Sequence, residues 1–361
     1  MHTFTARRSG WLVCSSLLLS GCVGDTQDPA PSSPDPLNET PQNRAPAVTP
    51  TTPSTTPAVV PDNGEADANT LTLYAIPAPT SASNPRGVNW DSPGDLVRTG
   101  LMNEAQGLSR AIGHVAVNVQ CAETSLLPAA HYMSGMTNVS QSEFKDLLLK
   151  DQVGLGMLFE NVRGELETEA RVRSTVSERT ASGAMSFLRF QVSAEVCRGL
   201  LDYAEAFKRA GVYKKYGLAA RPLFKEGAGC SAYGLSYMQL ANLVEPRFTA
   251  AWSFDVRVPK WLAGTTRTPL VGGVMNPSAK VPVARLTSLS QPWATAIEDG
   301  YNLFGWDPTL MHNWILKRSE AARVDGSEKV DTLGKAQGLV LDRRTVVPSD
   351  ALINKAYFQM P

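Results

Sequence analysis

An α+β fold is the class this 361-residue sequence predicts, and three observations carry that expectation. In "IGHVAVNVQC", Val115, Val117 and Val119 alternate with Ala116, Asn118 and Gln120, the period-two pattern of a half-buried strand. In "SAEVCRGLLDYAEAFKRAG", Val196, Leu200, Tyr203, Ala204 and Phe207 share one helical face, and Gly211 supplies the stop. Segments of both kinds are interspersed from Leu71 to Pro361 without an internal repeat or a second linker. A single elaborated domain over residues 70–361 is therefore expected.

Taken in order, "TLTLYAIP" (Thr70–Pro77) opens as a strand. A helix follows with Asp91 or Ser92 as its cap, Pro93 in the first turn and Leu96, Val97 and Leu101 at helical spacing. After the valine strand comes "AAHYMSGMT", read as a further strand, and "SQSEFKDLLLKD", a helix capped by Ser140. The highly charged stretch Gly154–Arg179 is read as a two-stranded hairpin. Met185–Ser193 is a strand, and the helix after it carries Cys197 beside its apolar face, as a core cysteine would sit. Gly227 and Gly229 forbid a regular helix before Cys230, whereas Tyr233, Tyr237, Leu240 and Val244 recur at helical intervals after it. Cys230 is thus expected at the N-cap or first turn of a core helix. "AAWSFDVRVP" and "KVPVARL" read as strands, "TLMHNWILKRSEAA" as a helix, and the last residues as irregular.

The N-terminus carries a different message. Arg7 and Arg8 precede an apolar run, Trp11–Leu19, that is far too short to span a bilayer, and Leu19-Ser20-Gly21-Cys22 follows. This quartet resembles the bacterial lipobox. The resemblance implies a signal peptide over 1–21 and a mature chain lipidated at Cys22 with palmitate-type chains. Val23 after the cysteine, on the enterobacterial sorting pattern, implies the outer membrane, facing the periplasm. Ten of the 25 prolines lie between Pro29 and Pro61, so residues 22–69 read as a disordered tether. Lysines and arginines number 34, as do aspartates and glutamates. Cleavage removes only Arg7 and Arg8 from this balance, which takes the formal charge from 0 to −2. Neither that balance nor the 7% aromatic content gives a reason to expect a nucleic acid partner.

Cleavage and lipidation leave Cys121, Cys197 and Cys230, an odd number, so at least one thiol is unpaired in an oxidising compartment. Cys230 is open to three readings: a nucleophile, half of a disulfide with Cys121 or Cys197, or a small core residue. A helix N-terminus favours the thiolate, and its free N–H groups can hold an oxyanion beside Gly229 and Ser231. The base must then come from His114, His131 or His312, the histidines of the mature chain. His114 has the sharpest context, at the mouth of the valine strand, although a strand-end histidine also sits there for purely structural reasons. His312, in "LMHNWI", reads as a helix-face residue. No HxxxH or CxxC spacing suggests zinc, there is no phosphate loop, dinucleotide fingerprint or GxSxG elbow, and no cofactor is expected.

With "GHVAVNV" first and "YGLAARPLFKEGAGCSAYGL" later, Ile112–Val244 resembles the circularly permuted papain-like domains, the NlpC-type and lecithin:retinol acyltransferase-like families. In these the histidine strand precedes the cysteine helix. The resemblance implies an antiparallel sheet packed on the cysteine helix and elaborated by insertions, with Cys230 as nucleophile and His114 as base. It implies a polar orienting residue on the next strand, for which His131 is the nearest match and Glu123 or Asn118 are alternatives. It departs from the families in having Gly229-Cys230-Ser231 where a polar residue often flanks the cysteine, a long segment Thr137–Ala210, and a long tail after Val244. The activity implied is an envelope cysteine amidase or endopeptidase acting on peptidoglycan peptides. A non-catalytic peptidoglycan- or protein-binding relative and a lipid-directed thiol acyltransferase or esterase are its rivals.

Overall fold

Thr70–Ile76, in which Thr70, Thr72, Tyr74 and Ile76 have strong β-propensity, form β1, and all seven residues are buried, the mark of a central strand covered on both faces. The protein is described here from a computed structural model over residues 69–80, 87–101, 103, 108, 110–264, 280–287, 292–326 and 328–359. The signal, lipidation and tether readings, Cys22 included, lie outside the described residues. All described residues fall in one unit, Thr56–Pro361.

The opening helix, α1 (Pro93–Leu96), is capped by Ser92, whose Oγ accepts from the Asp95 N–H, and continues as a π-turn over Val97–Leu101. The valine strand, β2 (His114–Cys121), pairs antiparallel with β1, placing His114 opposite Ile76 and Gln120 opposite Thr70. β3 (Ala130–Asn138) adds to its other edge, and Ser140 caps α2 (Gln141–Leu149) as the sequence indicates.

Gly154–Arg179 departs from the expected hairpin. It holds a 3₁₀ turn (Leu155–Phe159), one strand, β4 (Val162–Leu166), and the start of a helix, α3 (Glu169–Ser182). The helix wins because Thr168 caps it and Val172, Val176 and Thr180 bury at four-residue spacing against the sheet, a period that the surrounding charges obscure. β5 (Ser186–Gln191) and the strongly amphipathic α4 (Ala194–Arg209) then follow as read.

Downstream come the short β6 (Lys215–Tyr216), α5 (Cys230–Leu240), α6 (Pro246–Trp252) and β7 (Ser253–Pro259). "KVPVARL" is not a strand. Pro282 starts a helical turn, α7 (Val283–Thr287), where only Val281 makes an isolated bridge. β8 (Gly300–Trp306) pairs with β7 in a separate two-stranded sheet, and Asp307 caps α8 (Pro308–Asp325). Nor is the tail irregular: β9 (Lys329–Leu333) and β10 (Ala336–Asp342) form a hairpin, followed by α9 (Asp350–Ile353). β10 joins β5 in parallel, a long-range pairing that local pattern does not reveal.

The main sheet has the order β6-β4-β3-β2-β1-β5-β10-β9, antiparallel except for β5/β10, so the observed class is α+β with a mostly antiparallel sheet. Leu71, Leu73, Val115 and Val117 face a core built with α4, α5 and α8, while Tyr74, Ala116 and Phe187 face α3. Cys121 and Cys197 form a disulfide that ties the end of β2 to α4, which corrects the reading of Cys197 as a plain core cysteine. No helix among the described residues is long and apolar enough to cross a membrane.

Candidate active site

Cys230 is the first residue of α5, with Gly229 as a cap that has no side chain to occupy the helix end. The first N–H groups of a helix have no partner within it, so this end presents free donors. The approach to it is glycine-dependent: Gly227 has φ +119°, a conformation that L side chains rarely adopt. Four residues into the helix, a Cβ on Gly234 would stand 2.7 Å from Val115 Cγ1. The bare glycine is what lets the cysteine helix lie against the histidine strand.

That close packing brings together the residues the sequence singled out. Around the Cys230 thiol, the one free cysteine among the described residues, stand His114, the Val115 N–H and the Tyr216 hydroxyl, the groups that favour its ionised form. Ser231 Oγ is 4.0 Å from the sulfur.

The orienting residue is neither His131, Glu123 nor Asn118, but Glu167, in the bend between β4 and α3. Its Oε2 is 2.6 Å from His114 Nε2, though off the N–H axis, so the contact is ionic more than a linear hydrogen bond. Its backbone is pinned on β3: Glu167 N–H donates to Gly135 O at 2.8 Å, and Ser134 Oγ donates to Glu167 O at 2.9 Å. Gly135 serves twice here, because a Cβ at that position would overlap the Glu167 carboxylate and come within 2.9 Å of His114 Nε2. Arg110 completes the cluster. Its guanidinium donates to Glu167 Oε1 and lies 3.1 Å from His114 Nδ1.

The electrostatics follow from burial working against contacts. Burial pushes the Cys230 thiol up, but the hydrogen bond and charge of His114, with the Val115 and Tyr216 donors, outweigh it and hold the thiol below its ordinary value. For His114, burial and the Arg110 charge act downward, and the bonds to Cys230 and Glu167 prevail, so the imidazole is raised. Burial acts upward on Glu167 as well, yet His114 and Arg110 bring its carboxyl down to about 2. These are the directions of a thiolate–imidazolium pair backed by a fixed carboxylate.

The site opens on a cavity of about 500 Å³. Gly229, Cys230, Ser231 and Tyr216 line it on the reactive side, and its remaining walls are mainly apolar, with Trp90, Ile112, Leu158, Leu223, Phe304 and Trp306 among them.

His131 lies elsewhere. It pairs with Gln120, six residues along β2 from His114, and its exposed ring faces Glu169 at 3.4 Å and Arg173 at 3.5 Å. His312 is buried against Ser186 Oγ at 3.1 Å, and desolvation brings its imidazole down to about 4. The sequence reading missed Glu167, Arg110 and the role of Tyr216. Thr168 as a helix cap followed by Val172 and Val176 was the available signal for a bend at Glu167. Tyr216 opens the very "YGLAARPLFKEGAGC" stretch that carries the cysteine.

No protein-family model, curated protein or solved structure matches this chain.

Proposed function

We propose that this protein is a thiol-dependent acyl hydrolase of the permuted papain-like kind. The observation that carries the reading is the convergence of His114 and Glu167 behind Cys230, which lines the cavity. In the first half-reaction the Cys230 thiolate attacks a substrate carbonyl and a C–S bond forms. The developing oxyanion is held by the helix-end N–H of Cys230 and the Tyr216 hydroxyl. The imidazolium of His114 gives its proton to the leaving amine or alcohol as the C–N or C–O bond breaks. Water, giving a proton to His114, then attacks the thioester; the C–S bond breaks, the acid leaves and the thiolate returns. Glu167 is a positioning residue that holds the ring and its charge throughout.

The address implied by Leu19–Cys22 makes a peptidoglycan peptide the first substrate to test. The cavity supports a second reading: walls so largely apolar suit a lipid-like acyl donor better than a polar wall peptide. The decisive experiment is iodoacetamide labelling of the folded, unreduced protein from about pH 4 to 9, with His114→Ala as control. Labelling of Cys230 well below the free-thiol range, lost in the variant, is the expected result; a thiol that is inert until unfolding would sink the proposal. Wall peptides and acyl esters, offered to the same preparation, then separate the two substrate classes.

A further inference from the structure

Glu167 has more cationic company than its ionisation requires. Its Oε1 takes Arg110 and also lies 3.4 Å from Arg171 Nε, one turn into α3. What Arg171 does not explain is the second contact of Arg110, 3.1 Å from Nδ1 of His114. A guanidinium has N–H donors and no acceptor, and it stays charged in proteins. Such a contact to Nδ1 is a hydrogen bond only while that nitrogen keeps its lone pair. An imidazolium has no lone pair there, so protonating Nδ1 sets two donors and two positive charges face to face. The chain goes out of its way to hold this arrangement. Arg110 has φ +60°, in the left-handed region, and its carbonyl closes a tight turn by accepting from the Gly113 N–H at 2.7 Å, just before His114. The side chain is 12% exposed, so solvent screens the pair little.

We infer that Arg110 is a positioning residue with a second task, a charge brake that takes the Nδ1 lone pair of His114 and opposes formation of the imidazolium. The inference rests on the hydrolase reading only for its functional meaning. The charged and titratable groups around the imidazole are Arg110 from the turn before β2, Glu167 from the bend before α3, and Cys230 from α5. Tyr216 of β6 bears on the thiol, and Arg171 stands behind Glu167. Glu167 and Cys230 favour the imidazolium, and Arg110 is the member that works against it. Its effect is to keep the thiol less ionised, and less exposed to alkylation or oxidation, than the other two groups alone would make it.

The sign is testable because a merely structural Arg110 predicts the opposite. If its task were only to hold Glu167, its loss would move the Cys230 alkylation midpoint upward, toward that of His114→Ala. With the brake removed, His114 rises and the thiolate gains its partner earlier. Arg110→Gln is then expected to lower the midpoint by about one pH unit, the scale of a neighbouring charge, and to widen the pH profile of hydrolysis on both limbs. Arg110→Lys, which keeps the charge, should stay near wild type. An unchanged or raised midpoint in Arg110→Gln overturns the inference. If that variant does not fold, ¹⁵N NMR of His114 in the wild-type protein decides: the neutral ring that forms as pH rises is expected to keep its proton on Nε2 and leave Nδ1 bare, and a neutral ring protonated on Nδ1 rules the brake out. Wild-type labelling of Cys230 that ignores His114→Ala would defeat the hydrolase reading instead, while the ring tautomer would still judge the brake.

Discussion

Two His–Glu–Arg clusters stand on the same pair of strands. At one end His114, Glu167 and Arg110 are 3%, 0% and 12% exposed; at the other His131, Glu169 and Arg173 are 28%, 46% and 43% exposed. Glu167 and Glu169 lie only two residues apart, on either side of the Thr168 cap. The residue types are the same, yet it is the buried cluster that stands beside the free thiol of Cys230 and the cavity this residue lines. Burial makes the difference. In water-screened surroundings the exposed cluster exchanges solvent contacts for ionic ones of little net value, whereas the same contacts in the interior fix charge states.

The largest expected effect tests that contrast directly. His114→Ala should reduce hydrolysis by about 10²–10⁴-fold, the range of a lost general base, and His131→Ala should leave kcat/KM unchanged in the same assay. Next comes Gly135→Ala, which keeps every reactive group but drives a methyl into the Glu167–His114 contact. Misplacement on this scale should cost about 10²-fold in rate, with the thiol still alkylated in the folded protein. Equal activity in Gly135→Ala would show that the carboxylate position is unimportant.

The disulfide sharpens the comparison in another direction, since it lies at the far end of β2 from His114. Replacing Cys121 and Cys197 by serine should lower unfolding free energy by about 2–4 kcal/mol, with the Cys230 alkylation midpoint unmoved. A shifted midpoint would mean that the two ends of the strand are coupled.

Acid titration separates the two glutamates. The folded carboxyl of Glu167 is depressed to about 2, so its stabilisation is full above the ordinary value of 4.5 and is lost as pH falls toward 2. Its contribution is on the order of 3 kcal/mol. Glu167→Gln should flatten that part of the curve of unfolding free energy against pH. The smallest effect belongs to Glu169→Gln, which should change stability by no more than about 0.5 kcal/mol and leave the acid limb in place.

The strand β2 and the helix α4 were legible because their apolar residues recur at a regular period, and β1, buried on both faces, and α5, buried nearly all round, because their runs are apolar and bounded by clear breaks. Cys230 and His114 were legible for a related reason, as chemistry-bearing residues at the ends of such elements. Glu167 was not. Its position depends on Thr168 capping a helix whose buried stripe is only Val172, Val176 and Thr180, set among charges that mask the period. β10 escaped because its partner β5 lies far away in sequence, and Gly338 weakens its strand pattern while making room for Phe187, whose ring a Cβ there would meet at 2.5 Å. His131 misled because strand order was taken as a guide to proximity. The register puts it opposite Gln120, at the wrong end of the sheet.

β1 fixes more than the centre of the sheet. The chain enters it at Thr70, beside Gln120 and Gln191, and leaves at Ile76, beside His114. Seven extended residues measure about 20 Å, so the point where everything upstream is attached and the thiol lie at opposite ends of one strand. Whatever an N-terminal segment is fastened to, it grips the domain by its heel and leaves the reactive mouth at the toe. Shortening that segment would therefore restrict how far the mouth can travel before it disturbed the chemistry, a dependence of reach on leash length that no residue in the cavity controls.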